Sequence, residues 1–242
     1  MIKAKWLIVL LAIFIVAVSA VVMAQPPEPG PTIRDPITDP LLTPNNSVLI
    51  IIDYQPQSVS SVQSMDPHLM VDNEVRVVET AKLYGVPIIL STTGVNTFGN
   101  KPTIPELQAV LGNVTAIDRT TLNAWEDPEF VAAVKATGRK NLIMTGLWSE
   151  VCLTFPALDA MRDGYNVYYV VDSVGGTSVA ANQAAFDLMN QAGAHPTSWV
   201  QLISEMQRDT ARTSTLNGFE QILFDPQLPF VKAESSVTQS GW

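Results

Sequence analysis

The sequence predicts a three-layer α/β/α domain, a parallel sheet covered by helices on both faces. Two observations carry this. From about Ser47 onward, strand-like runs and amphipathic helical stretches alternate without interruption, and the strand-like runs are apolar throughout rather than at every second residue. Strict alternation builds βαβ units, and a strand apolar on both faces is one buried on both faces.

The elements follow in order. Residues 48–53 (Val-Leu-Ile-Ile-Ile-Asp) read as the first strand and 66–84 as a helix stopped by Gly85. Strand 86–93, a short helix 104–111, strand 115–119 and helix 127–137 come next. The apolar run 141–147 leads into a helix that passes through Leu153, Phe155, Ala157, Leu158 and Met161 and stops at Gly164. Strand 166–172, helix 178–193, a short strand 197–200 and a helix to about Arg212 complete the pattern. Beyond about 217 no period is visible, so residues 217–242 read as an arm or tail and 47–216 as the domain.

The N-terminal end has another character. Lys3 and Lys5 precede an apolar run from Trp6 to Val22, and Ala24 supplies a small residue at a cleavage junction. Residues 1–24 therefore read as a signal peptide, which sends the protein to the periplasm or outside the cell. An uncleaved membrane anchor over 6–22 is the alternative reading, since the run is near the length needed to span a bilayer. Residues 25–46 hold seven prolines between Pro26 and Pro44, without apolar spacing, and read as an extended linker or arm.

Charge narrows the partners. The chain carries −9, and loss of Lys3 and Lys5 with the signal takes it to −9 − 2 = −11. An acidic surface without a basic cluster excludes nucleic acid as the expected partner. Cys152 is the only cysteine, so no intramolecular disulfide forms, and stability comes from the core and from homo-oligomerisation.

That cysteine follows the fourth strand. Ser149 reads as an N-cap, which puts Cys152 at the third helical position, near unpaired amides and the positive helix end that favour a thiolate. The competing reading is a buried, inert cysteine, a common fate of this residue type. In open parallel sheets ligands bind beyond the C-terminal strand ends. Asp53 ends the first strand and Arg119 the third, so both stand at the same edge as Cys152. Taken singly, Asp53 reads equally as a turn cap and Arg119 as an ion-pair partner.

The stretches Leu49-Ile-Ile-Ile-Asp53-Tyr-Gln55, Asp118-Arg119-Thr-Thr-Leu-Asn123-Ala-Trp125, Gly146-Leu-Trp-Ser-Glu-Val-Cys152, Val170-Val-Asp172 and Gln191-Ala-Gly-Ala194 occur in one order along the chain. In them the sequence resembles the isochorismatase-like cysteine hydrolases, and most closely their YcaC-like branch. The resemblance implies a six-stranded parallel sheet. It also implies a catalytic set of Asp53 as base, Arg119 as cation and Cys152 as nucleophile, a cis peptide between Leu147 and Trp148, and an oxyanion hole built from the Trp148 and Cys152 amides. The wider family usually has lysine where this chain has Arg119, a residue that cannot give up its proton.

Phe98, Trp125 and Trp148 are candidate walls of a substrate pocket. No metal or other cofactor is expected: residues 91–99 contain no His, Asp or Glu, and neither His68 nor His195 falls at the C-terminal end of a strand. The expected activity is hydrolysis of a small amide-like or ester-like molecule through an acyl-enzyme on Cys152. The competing function is a non-catalytic or thiol-redox oligomeric scaffold that keeps the same site.

Overall fold

The computed structural model describes residues 39–228 and 231–232. The expected signal segment, residues 25–38 of the expected linker and residues 229–230 and 233–242 lie outside them. Six parallel strands are present: β1 (Ser47–Ile52), β2 (Ile88–Thr93), β3 (Ala116–Arg119), β4 (Asn141–Gly146), β5 (Asn166–Val170) and β6 (His195–Thr197). Their order across the sheet is β3-β2-β1-β4-β5-β6, with every neighbouring pair parallel. The helices are α1 (Pro56–Ser60), α2 (Pro67–Leu83), α3 (Val95–Phe98), α4 (Pro105–Leu111), α5 (Pro128–Ala136), α6 (Thr154–Arg162), α7 (Val179–Gln191), α8 (Trp199–Gln207) and α9 (Thr213–Leu223).

The fully apolar strands explain the layers. Every residue of β1 and β4 is buried. Leu49, Ile51 and Ile143 join the larger core beneath α2, α4, α8 and α9, while Val48, Ile50, Ile52, Leu142 and Met144 join the core against α5, α6 and α7. Each such aliphatic side chain contributes about 1.5–3 kcal/mol by leaving water. The two central strands are thus the most firmly fixed part of the sheet, and the chain leaves both at the same edge. The strand order reverses between β1 and β4, where parallel sheets open a crevice for ligands.

Three expectations are corrected. The tail from 217 begins inside α9, which buries Phe219 and Leu223, with Leu228 buried beyond it. The linker does not run free to residue 46, because Leu42 is fully buried and its amide donates to the Glu205 carboxylate at 2.7 Å. Its neighbour Asp39 pairs with Arg208 at 3.1 Å. Finally, β6 lies at His195–Thr197 rather than 197–200, since the Ser198 hydroxyl accepts from the Gln201 amide and starts α8 at Trp199.

A buried polar cluster lies on the α2 side of the central strands. Glu74 of α2 is fully buried; its Oε1 accepts from Thr145 Oγ1 of β4 at 2.7 Å, and its Oε2 has no partner among the described residues. Burial pushes this carboxyl well above the ordinary glutamate range, against the opposing hydrogen bond from Thr145. Tyr54, next to Asp53, donates its hydroxyl to the Ser173 carbonyl.

Candidate active site

Asp53, Arg119 and Cys152 meet at the C-terminal edge of the sheet, on segments that follow or end β1, β3 and β4. Directly after β1 the backbone of Asp53 turns into the left-handed region, with φ of 61°. Few non-glycine residues take this conformation, aspartate more readily than most, and such positions concentrate at functional sites. The turn, closed by the Gln55 amide donating to the Asp53 carbonyl at 2.7 Å, leaves the carboxylate buried at the crevice.

That carboxylate is held from two sides. Thr93 Oγ1, at the end of β2, donates to it at 2.9 Å, and the Arg119 guanidinium donates to Oδ2 at 2.6 Å. Arg119 is itself buried, and a second of its nitrogens donates to the Thr121 carbonyl, while its Nε has no partner among the described residues. The Cys152 side chain lies close enough to Asp53 and Arg119 for both to act on its ionisation. One cation, one carboxylate and one sulfur therefore share a site almost closed to solvent.

The local structure at Cys152 differs from the expected capped helix. Ser149–Leu153 form a single π-turn before α6, and Ser149 is not its cap. The Ser149 hydroxyl instead donates to Asn182 of α7 at 2.7 Å, while its amide donates to the Gly175 carbonyl. Wide turns of this kind are frequent at functional sites. The peptide between Leu147 and Trp148 is cis. Among the described residues the Trp148 amide donates to no acceptor.

Electrostatics at the pair also differ from the expectation of a lowered thiol. Burial pushes Cys152 up to about 12, the Asp53 charge beside it adds to this, and Arg119 only partly offsets both. Asp53 is raised as well, because burial outweighs Arg119 and the hydrogen bonds from Cys152 and Thr93. The cause is depth: a helix end stabilises an exposed thiolate, but this sulfur is shut in beside a carboxylate. Burial beside a carboxylate therefore keeps Cys152 a neutral thiol at rest. A thiol of this kind needs a base within reach before it can act as a nucleophile.

The candidate pocket walls fall in three different settings. Phe98 is exposed, at the end of α3 beyond β2. Trp148 is half-buried against the larger core, its indole N–H donating to Ser61 Oγ at 2.8 Å. Trp125 is built into the core instead of opening on a pocket: its ring meets Phe130 and Tyr165 edge-on, and its indole N–H donates to Asp163 at 2.9 Å. Sequence reasoning missed Thr93, which lies at the end of β2, the one signal available for it. Among the described residues no group of three or more His, Cys, Asp or Glu side chains is placed to hold a metal ion. His68 is in α2, and His195 opens β6 at the opposite edge of the sheet.

Comparison with known proteins identifies the fold and family. The isochorismatase domain matches residues 47–201. Probable hydrolase YcaC of Escherichia coli K12 is 37% identical over 169 residues, 69% of this chain and 81% of its own. Among solved structures, YcaC from Pseudomonas aeruginosa, with hexane-2,5-diol and covalent acrylamide, aligns with a TM-score of 0.75 and 32% identity over 84% of this chain and 98% of its own. The Escherichia coli YcaC structure, described as an octameric hydrolase of unknown specificity, aligns over the same shares with the same TM-score and identity. By the extent of these matches and the six-stranded sheet that carries them, the chain belongs to the isochorismatase family, as a hydrolase of its YcaC-like branch.

Proposed function

We propose that the protein is a cysteine hydrolase that cleaves a small amide-like or ester-like molecule through a Cys152 acyl-enzyme. The convergence of Asp53, Arg119 and Cys152 at one buried point carries this reading. Asp53 takes the thiol proton as Sγ attacks the carbonyl carbon, whose π pair moves onto oxygen. The amides of Trp148 and Cys152 hold that oxyanion, a role the unengaged Trp148 N–H supports. Collapse expels the amine or alcohol, which takes the proton from Asp53 and leaves a thioester. Water, deprotonated by Asp53, then attacks the thioester, and the sulfur leaves and recovers the proton. The sum is one water consumed, with one acid and one amine or alcohol formed.

Arg119 fixes the Asp53 carboxylate and balances the charge that passes between carboxylate and sulfur. It transfers no proton, since guanidinium stays charged at any working pH. No step needs a metal or cofactor. The octameric state described for the Escherichia coli relative supports a homo-oligomer here. Export, with removal of residues 1–24, completes the proposal; contact with a membrane follows only if that segment is retained. Turnover of a panel of small amides, carbamoyl compounds and esters by the purified protein tests the reading. Hydrolysis of at least one, abolished in Cys152→Ala, is expected; equal turnover by that variant defeats it.

A further inference from the structure

Two of the three residues at the candidate site, and the Thr93 that binds the third, are each followed within a few positions by a large apolar side chain left in solvent. Leu122, three residues after Arg119, is 64% exposed, and Phe155, three after Cys152, is 41% exposed. Phe98, five after the Asp53 partner Thr93, is 67% exposed. Their strands lie side by side as β3, β2, β1 and β4, so all three issue from the edge that holds the catalytic group. Scattered exposed hydrophobics need no explanation, but several around one crevice do.

Phe98 is held with particular care. Its segment α3 is flanked by Gly94 and Gly99, both left-handed with φ of 66° and 70°. A Cβ on Gly94 would stand 2.5 Å from the Phe98 ring, so the ring lies directly over the residue that follows Thr93. The base of the segment is tied by Gln55, which exchanges hydrogen bonds with the Thr93 backbone, and by Asn100, whose side chain donates to the Thr93 carbonyl. Its front is clamped by Asp118, which accepts from the amides of Val95 at 2.9 Å and Asn96 at 2.8 Å. Behind the segment lies a cavity of about 510 Å³ lined in part by Val95, Asn96 and Asp118. With open space behind it, α3 keeps its place through the clamp rather than through packing. Asp118 and Arg119 are adjacent, so the residue that sets the apolar ring and the one that sets the carboxylate share the end of β3.

We propose that the mouth selects an uncharged carbonyl compound bearing an apolar substituent, with Phe98 as the specificity-determining residue and Asp118 as the residue that positions it. This rests on the hydrolase reading for its biological meaning, but its test needs no turnover. The probes are acrylamide, N-benzylacrylamide and N-(carboxymethyl)acrylamide, each applied to the full chain. In each, the Cys152 sulfur adds to the β-carbon, the alkene pair moves to the α-carbon, and that carbon receives the proton lost by the thiol. Intact-mass kinetics give the rates, which are divided by those of 2-mercaptoethanol to remove intrinsic reactivity.

The benzyl probe should label Cys152 about 10-fold faster than acrylamide after this correction, the discrimination typical of one apolar contact, and the carboxylate probe should be slowest. Phe98→Ala should bring the benzyl-to-acrylamide ratio near one, and Asp118→Asn should lower it partway. Leu188→Ala, a change of an exposed residue on α7, should leave the ratio alone. A ratio near one in the wild type, or an unchanged ratio in Phe98→Ala, overturns the proposal. So does a change in oligomer mass in Phe98→Ala with the ratio kept, which would make the ring a contact between copies of the chain. If the ratios behave as expected while no amide or ester is hydrolysed, the hydrolase reading fails and the selective mouth stands.

Discussion

Removal of Arg119 should destabilise the protein in a way that depends on pH. The guanidinium and the Asp53 carboxylate form an ion pair at 2.6 Å with both side chains buried. Arg119→Ala leaves the carboxylate without its cation, and breaking one partner of a buried pair costs about 3–5 kcal/mol. The sign follows from Asp53. Its carboxyl already lies above the ordinary range because burial outweighs Arg119, so loss of Arg119 raises it further. A carboxyl raised in the folded state favours folding below its unfolded value and loses that contribution as pH climbs through the folded value. The deficit against wild type should therefore be small at pH 5 and approach the full figure at pH 8. Urea denaturation at both pH values measures it, with Asp53→Asn and the double variant completing a cycle. The double variant should recover much of the loss at pH 8, because no buried charge is left unpaired. A deficit equal at both pH values, or two single losses that simply add, would refute the reasoning.

Three further outcomes are expected. The alkylation rate of Cys152 should rise as Asp53 ionises and then stay flat through pH 9, because the thiol itself lies at about 12; an inflection near the ordinary thiol value of about 8.5 would contradict this. Glu74→Gln should raise stability relative to wild type by about 1–3 kcal/mol at pH 8 and by less at pH 5, since a carboxyl raised by burial loses its contribution as pH climbs. Thermal unfolding across that range checks it, and a difference that does not grow with pH counts against a neutral Glu74. Mass spectrometry of protein from its native source should find a mature N-terminus at Gln25, while one at Met1 or Ile2 would favour a retained anchor.

Much of the fold was legible because burial leaves a direct mark on composition. Strands such as Ser47–Ile52 and Asn141–Gly146 are buried on both faces and read as unbroken apolar runs. Asp53 was legible for the same reason, as a charged residue ending such a run, whereas Arg119 ends a short, half-buried strand and was legible by its place at the same sheet edge. What escaped depends on partners distant in sequence. Ser149 looks like an N-cap from its neighbours alone, but Asn182, 33 residues on, takes its hydroxyl. α9 was missed because no apolar period is visible beyond about 217. In the fold, Gly218 admits Leu83 of α2, whose side chain would stand 2.5 Å from a Cβ there. The thiol was expected to be lowered because helix position is visible in sequence, whereas the depth of the sulfur, the largest cause of its rise, is not.

The acyl-enzyme is the central claim, and its direct measurement is intact mass during turnover of an activated ester, with rapid acid quench. The account predicts a transient mass gain equal to the acyl group, located on Cys152 by peptide mapping, which decays as acid is released and is absent in Cys152→Ala. Product formation with no acyl gain at any time, or with the gain on another residue, would contradict it.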